Sequence, residues 1–148
     1  MAEERVLTRI DHVGIACRNL TTATEFYEAM FGLTVLSRET NAEQGVREAM
    51  LVVGDSGDSP AGASYVQLLE PLGPDTPVGR FLERRGEGLH HVGYAVADIR
   101  AALAEIGATG VRLLDARPRH GSMGASIAFL HPADVGGVLT ELVQPADR

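Results

Sequence analysis

The sequence predicts an α+β fold in which two tandem βαβββ modules form a curved mixed sheet. Three observations predict this class. The stretch DHVGIA at residues 11–16 is repeated as HHVGYA at residues 90–95. A helical pattern follows each copy, and three strand-like runs separated by turn residues follow each helix. A repeat that preserves the order of its elements indicates a duplicated module.

The repeat also sets the expected boundaries. Module one spans about 8–72, a linking helix in TPVGRFLERRGEG spans about 76–87, and module two spans about 88–145. Each half is too small to bury both faces of its own sheet, so we expect a single domain over 1–148. A chain of 148 residues buries roughly 68–70% of its unfolded surface, and it therefore needs no metal or disulfide merely to fold.

Composition and charge exclude several classes of function. The chain has 13 Lys and Arg against 20 Asp and Glu, a net charge of −7, with no basic run beyond Arg84 and Arg85. A nucleic-acid partner is therefore not expected. No apolar stretch reaches the ~18 residues of a membrane span, and MAEERVLTR lacks the apolar core of a signal peptide. The single cysteine, Cys17, fits a cytoplasmic protein, and we expect it to be a small buried hydrophobe.

In module one, the helix is predicted in TTATEFYEAMFG, where threonines are candidate N-caps and Gly32 ends the helix. Its apolar residues recur at helical intervals, namely Leu20, Ala23, Phe26, Tyr27 and Met30. The strands that follow are predicted in LTVLSRE, VREAMLVVGD and SYVQLLEP, with GDSGDSPAGAS as a connection.

In module two, Asp98 is the predicted cap of a helix in IRAALAEIGATG that ends near Gly107. Its apolar stripe consists of Ile99, Ala102, Leu103 and Ile106. Strands are predicted in VRLLDARP, ASIAFLHP and GVLTELVQP, and RPRHGSMG forms the long loop. Both modules therefore have the same order of elements.

Strand alternation places a histidine on equivalent faces of the two repeats. His12 shares its face with Gly14 and Ala16, as His91 does with Gly93 and Ala95. Gln67 and Glu141 occupy matching places on the last strand of each module, each as one polar residue in an apolar row. Buried polar groups need partners. The small residues beside each histidine indicate a cavity on this face.

These four residues offer two imidazoles, one amide oxygen and one carboxylate. This set suits an octahedral divalent metal with positions open for water or substrate, whereas a closed thiolate zinc site is excluded because the cysteines are missing. Taken singly, each residue is more typical of a hydrogen-bonded core position. The symmetric recurrence favours a metal site held by His12, Gln67, His91 and Glu141.

The motifs IDHVGIA, FYEAMFGL, GEGLHHVGYAV and HGSMGASIAFLHPADVGGVLTELVQ resemble the vicinal oxygen chelate superfamily, and in particular its methylmalonyl-CoA epimerase branch. The resemblance runs from about residue 10 to 144. It implies metal ligation by the four residues named above and a homodimer. We expect cobalt as the divalent metal, with manganese, nickel, magnesium and zinc as alternatives that the ligand set also permits.

The resemblance further implies interconversion of (2R)- and (2S)-methylmalonyl-CoA by proton transfer at C2, with Glu141 and Glu48 as acid/base groups. Alternation places Glu48 on one face with Val46, Met50 and Val52, where burial raises the pKa of a carboxyl group. The alternative is that Glu48 faces solvent beside Arg47. The resemblance favours the catalytic interpretation.

Other residues receive structural interpretations. His90 is predicted to pack on the opposite face from His91, and His131 to end a strand before Pro132. The loop HGSMG, which begins at His120, is a candidate contact for the thioester or CoA, and the Arg84 and Arg85 pair for CoA phosphates, although a solvated helix end fits the pair better. A glyoxalase-like isomerase, an extradiol dioxygenase and a non-enzymatic binding module are the competing functions.

Overall fold

The structure is a computed structural model that describes residues 5–54 and 63–146. The chain divides into two compact units. The first unit is His12–His90, and the second unit combines Met1–Asp11 with His91–Arg148. These units correspond closely to the two predicted modules, with the linking helix in the first. The single domain over 1–148 stays a prediction.

Among the described residues, each unit contains four strands, and the order of elements confirms the two βαβββ modules. The strands are β1 Arg9–Ala16, β2 Thr34–Asn41, β3 Val46–Val53, β4 Ser64–Pro71, β5 Gly88–Ala95, β6 Arg119–His120, β7 Ser126–Leu130 and β8 Thr140–Gln144. The helices are α1 Leu20–Phe31, α2 Pro77–Arg85 and α3 Ile99–Ala108.

Sheet order is the same in both units. Counted from the strand that begins each module, it runs β1-β4-β3-β2 in the first unit and β5-β8-β7-β6 in the second. The strand that begins each module pairs in parallel with the strand that ends it, and the other pairs within each unit are antiparallel. The strand pairing within each unit is therefore mixed, as predicted. The connection GDSGDSPAGAS falls mostly on residues 55–62, which lie outside the described residues.

Helix α1 begins and packs differently from the prediction. Its N-cap is Asn19, whose side chain accepts a hydrogen bond from the Thr22 N–H at 2.9 Å, so the predicted threonine cap was wrong. Gly32 ends the helix with φ of 69°, as predicted. Phe26 and Met30 are 52% and 61% exposed, because the helix packs through its other side against β3 and β4. The predicted apolar stripe was therefore too wide.

The other two helices follow the prediction. Asp98 caps α3 by accepting from the Ala101 N–H at 3.1 Å, and its apolar stripe packs in a core with Leu130 and Leu142. Thr76 caps α2, which covers Ala16, Val46 and Leu69 through Val78 and Leu82. In the part of the chain that the structure describes, no helix has the length and apolarity needed to cross a bilayer.

The run VRLLDARP is not a strand, and this prediction was wrong. The Asp115 carboxylate accepts from the Phe129 N–H at 2.9 Å and from Arg119 at 3.1 Å, while the Leu114 N–H donates to the Phe129 carbonyl. The Asp115 side chain thus accepts the hydrogen bond that the backbone carbonyl of a neighbouring strand would accept in a regular sheet. Apart from an isolated antiparallel bridge between Leu113 and Leu130, strand pairing in this part of the chain occurs only at β6, which lies within the predicted long loop.

Arg112 and Asp134 form a bidentate ion pair near the end of β7. Arg112 Nε and Nη2 donate to the two carboxylate oxygens at 2.8 and 3.1 Å, and the Arg112 backbone N–H adds a third bond at 2.9 Å. The hydrogen-bonded guanidinium lowers the pKa of Asp134 from 3.8 to about 2. The ion pair joins the 3-10 turn Pro132–Asp134 to the irregular segment.

Cys17 is 3% exposed, and its Sγ contacts the Leu69 carbonyl at 3.5 Å. Burial raises the pKa of the Cys17 thiol to about 11. The thiol is therefore neutral and enclosed, which confirms its predicted role as a small buried hydrophobe.

Candidate active site

The parallel pairing of β1 with β4 positions the first two predicted ligands. His12 lies opposite Tyr65, and Gly14 lies opposite Gln67. Directly paired residues share a sheet face, so His12 and Gln67 project from the same face of the first unit. They are 4% and 6% exposed. The glycine opposite Gln67 leaves room above the sheet for its side chain.

Glu48 lies on this same face, because β3 pairs it with Leu69 and pairs Met50 with Gln67. It is 3% exposed, so the alternative in which Glu48 faces solvent was wrong. Gln67 Nε2 donates a hydrogen bond to Glu48 Oε2 at 2.9 Å. The first unit therefore brings a buried carboxylate into direct contact with a predicted ligand. Strand alternation predicted the shared face, but only the β3–β4 register shows the contact.

The second unit repeats this geometry. Gly93 lies opposite Glu141 in the parallel pairing of β5 with β8, which places His91 and Glu141 on one face. Both residues are 3% exposed, and His91 Nε2 lies 3.7 Å from Glu141 Oε1. Phe129, which pairs with Glu141, lies edge to face against the imidazole of His91, with ring centroids 5.4 Å apart.

Phe129 is a site residue that the sequence analysis missed. It lies in a strand of predominantly apolar residues, where nothing distinguishes an aromatic ring that orients a histidine from an ordinary core residue. Its pairing with Glu141 is the distinguishing signal, and that pairing appears only once the β7–β8 register is known.

The donor chemistry of these residues fits a divalent cation. His12, His91 and Glu141 are buried and each presents one ligating atom, an imidazole nitrogen or a carboxylate oxygen. Gln67 uses its amide nitrogen in the bond to Glu48, so its Oε1 is the atom suited to a cation. Nitrogen and oxygen donors of this kind suit octahedral divalent metals. Burying several polar side chains costs free energy unless each one has a partner, and a bound cation supplies one.

The last strand of each module also supports the helix that precedes it. Glu70 Oε1 accepts from the Leu20 N–H at 2.9 Å, and Gln144 Oε1 accepts from the Ile99 N–H at 3.0 Å. Glu70 and Gln144 each lie three positions after a predicted ligand, Gln67 and Glu141. In both modules, a hydrogen bond thus connects the start of the helix, α1 or α3, to the strand that carries the predicted ligand.

His90 and His131 have structural roles, as predicted. The ring of His90 contacts Phe81 edge to face, with centroids 5.0 Å apart, and burial lowers the pKa of His90 to about 4. His131 Nδ1 accepts from the Ala133 N–H at 3.1 Å and caps the 3-10 turn. Arg84 and Arg85 are exposed at the end of α2, and the Arg85 guanidinium lies 6.0 Å from the Phe81 ring centroid.

The HGSMG loop has an unusual backbone. Met123 adopts φ of 54°, and a Cβ at Gly121 would lie 2.5 Å from the Ile127 side chain. Non-glycine residues in this region are uncommon and are found at functional loops. Contact between this loop and a thioester or CoA stays a prediction.

Residues 11–129 match the family model of the Glyoxalase/Bleomycin resistance protein/Dioxygenase superfamily. The chain is 39% identical over 139 residues to the uncharacterized protein YqjC of Bacillus subtilis, with 94% of each chain covered. It is 34% identical over 139 residues to the mitochondrial methylmalonyl-CoA epimerase of Homo sapiens, covering 93% of this chain and 74% of that protein.

A solved structure of a methylmalonyl-CoA epimerase in complex with methylmalonyl-CoA and NH4+ is 55% identical, with a TM-score of 0.89. The match covers 95% of this chain and 96% of the other. The two epimerases among these relatives are isomerases. The chain therefore belongs to the Glyoxalase/Bleomycin resistance protein/Dioxygenase superfamily, in the branch that contains the methylmalonyl-CoA epimerases.

Proposed function

We propose that this protein interconverts (2R)- and (2S)-methylmalonyl-CoA by proton transfer at C2, with Glu48 and Glu141 as the acid/base groups. The observation that carries the proposal is the buried Glu48 carboxylate, oriented by Gln67 at 2.9 Å. Burying a carboxylate costs free energy, so a purely structural role does not account for a glutamate at this position. The similarity to the epimerase solved with methylmalonyl-CoA supports the same substrate.

We further propose that His12, Gln67, His91 and Glu141 hold one divalent cation. Their burial, their donor types and their equivalent positions in the two units support this assignment. When bound, the cation supplies Lewis-acid stabilisation of negative charge on the substrate, worth several kcal/mol. Cobalt is the expected metal, and manganese, nickel, magnesium and zinc are compatible with the donors.

The two glutamates divide the proton transfer between them. C2 of the substrate lies between a thioester carbonyl and a carboxylate, so loss of its proton gives an enolate. One carboxylate removes the C2 proton from one face, and the other, as the carboxylic acid, returns a proton to the opposite face. With one carboxylate on each face of C2, neither has to move across the substrate. The bond from Gln67 fixes the Glu48 carboxylate for this transfer.

The same site residues distinguish the epimerase from the competing functions. A glyoxalase-like isomerase usually offers another ligand set, and an extradiol dioxygenase uses three ligands with redox iron. Gln67 as a fourth ligand, together with the buried Glu48, favours the epimerase over both. A binding module without catalysis needs no metal ligands, and this chain has kept candidate ligands at both histidine positions. We therefore favour the epimerase.

The experiment that tests the proposal is deuterium uptake at C2 of each methylmalonyl-CoA enantiomer in D2O, with the product configuration followed. Metal-loaded protein is compared with chelated protein and with the metal-loaded Glu48→Gln variant. We expect exchange with inversion that requires metal and is lost in the variant. If metal binds and neither enantiomer exchanges, the epimerase proposal fails, and dicarbonyl and catechol substrates are tested next.

The proposal includes a cytoplasmic homodimer that binds neither nucleic acid nor membranes. The net charge of −7 and the exposed apolar residues of α1 are consistent with this. Light scattering of the purified protein measures the mass in solution, and a monomeric mass would contradict the dimer.

A further inference from the structure

The edge strand β2 contains an irregularity that the sequence did not reveal. Val35 pairs with Leu51, but Ser37 pairs with Met50, so Leu36 is an extra residue opposite no partner. This arrangement is a β-bulge, and Leu36 is 48% exposed. Bulges are frequent beside active sites, where they change the direction of a side chain.

The bulge reverses the alternation along the rest of β2. Thr34 pairs with Val52, which lies on the Glu48 face, so an uninterrupted strand would turn Ser37 to the opposite face. With the bulge, Ser37 shares the face of its partner Met50. Met50 in turn pairs with Gln67. Ser37, Met50 and Gln67 therefore form one row across three strands, with Glu48 diagonal to Ser37.

The Ser37 hydroxyl is enclosed but has no hydrogen bond. Its Oγ is buried, and no donor or acceptor within residues 5–54 and 63–146 reaches it. Native proteins pair nearly all such groups, and an exception calls for an explanation. Thr24 shows the usual arrangement, since its buried hydroxyl donates to the Leu20 carbonyl at 2.7 Å.

We propose that Ser37 is a substrate-binding residue whose hydroxyl donates to an oxygen of the malonyl group. This inference rests on the proposed function. A bulge that places a hydroxyl on the sheet face of Glu48 and Gln67, and leaves it unsatisfied there, costs stability in the protein without substrate. A ligand oxygen at the Glu48 side of the sheet supplies the missing acceptor. The acceptor is either the carboxylate or the thioester carbonyl, since both are oxygen acceptors on the same group.

The test compares Ser37→Ala with wild type in steady-state epimerisation of methylmalonyl-CoA. We expect kcat/KM to fall about 5- to 10-fold if the acceptor is the thioester carbonyl, and about 10- to 100-fold if it is the charged carboxylate. Thr40→Ala is the matched control, because Thr40 is exposed on the opposite face of the same strand. An unchanged kcat/KM in Ser37→Ala would overturn the inference.

Inhibition by propionyl-CoA, which lacks the carboxylate, identifies the oxygen that Ser37 contacts. If Ser37→Ala leaves this inhibition constant unchanged, the contact is with the carboxylate. If the inhibition weakens, the contact is with the thioester. Both results support the inference, provided that kcat/KM has fallen.

Stability provides a readout that is independent of activity. Removing an unsatisfied buried hydroxyl raises Tm by about 2–4 °C in a chain of this size, whereas Thr24→Ala, which removes a satisfied hydroxyl, lowers Tm. A lower Tm for Ser37→Ala would show that the hydroxyl already has a partner, and the inference would fail. If wild type itself does not epimerise methylmalonyl-CoA, the proposed function fails, and this result is distinct from a Ser37→Ala variant that matches an active wild type.

Discussion

Gln67 donates its amide Nε2 hydrogen to Glu48 Oε2 at 2.9 Å, across the antiparallel pair β4 and β3. Both side chains are buried, at 6% and 3% exposed. The bond occupies the amide nitrogen of Gln67 and so leaves its Oε1 for the proposed cation. It also orients the Glu48 carboxylate for the proposed proton transfer. A change at either residue therefore affects both proposed roles, metal ligation and proton transfer.

Gln67→Leu is expected to lower both activity and stability. The leucine keeps most of the side-chain volume but removes a donor to a buried carboxylate, which costs about 1.5–3 kcal/mol of unfolding free energy. Urea unfolding measures the loss. A double-mutant cycle with Glu48→Leu, which removes both acceptor oxygens, isolates the pair, and we expect a coupling energy of about 0.5–3 kcal/mol. Additive effects of the two substitutions would contradict a direct interaction.

Metal binding is expected to stabilise the native protein. A ligand present at 100 times its Kd adds about 2.7 kcal/mol to the unfolding free energy, provided that the unfolded chain does not bind it. Thermal unfolding of chelated protein, with and without added Co2+, measures this effect. His91→Ala should abolish the rise in Tm. His131→Ala is the control and should retain it, because that imidazole caps a 3-10 turn.

Glu70→Ala is expected to destabilise the protein, since the Glu70 carboxylate accepts from the Leu20 N–H and pairs with Arg47. We expect a loss of about 1–3 kcal/mol, the cost of an unsatisfied donor at a helix start. Glu70→Gln should recover most of this stability, because the amide of Gln144 serves the equivalent N–H of Ile99 in the second unit. Equal losses in the two variants would show that the Arg47 ion pair dominates instead.

The ion pair of Asp134 with Arg112 predicts a specific pH dependence. The folded-state pKa of Asp134 is about 2, below the ordinary 3.8, so the contribution of the pair is complete above pH 3.8 and is lost as pH falls through about 2. Asp134→Asn should therefore lower Tm at pH 7, and the difference from wild type should narrow between pH 4 and pH 2.

The control for this prediction is Asp75→Asn, because Asp75 is an exposed carboxylate of the first unit. It should give no such pH-dependent difference. A gap between wild type and Asp134→Asn that stays constant from pH 7 to pH 2 would exclude the ion pair as its source.

The sequence determined the modules and the residues that the proposed site uses. The recurrence of His-Val-Gly, followed by helix and strand patterns, predicted both βαβββ modules, since these signals are local and appear twice. Alternation within β1 and β5 correctly placed His12 and His91 on faces shared with small buried residues. Such reasoning succeeds because side chains on an unbroken strand must alternate between its faces.

Tertiary structure decided the features that depend on pairing between distant residues. The bulge at Leu36 turns Ser37 to the Glu48 face, and Asp115 replaces a ladder partner and prevents the predicted strand at VRLLDARP. The contact of Glu48 with Gln67 likewise depends on the β3–β4 register. A local pattern does not specify register or bulges, because their energies come from which residues of other strands lie opposite.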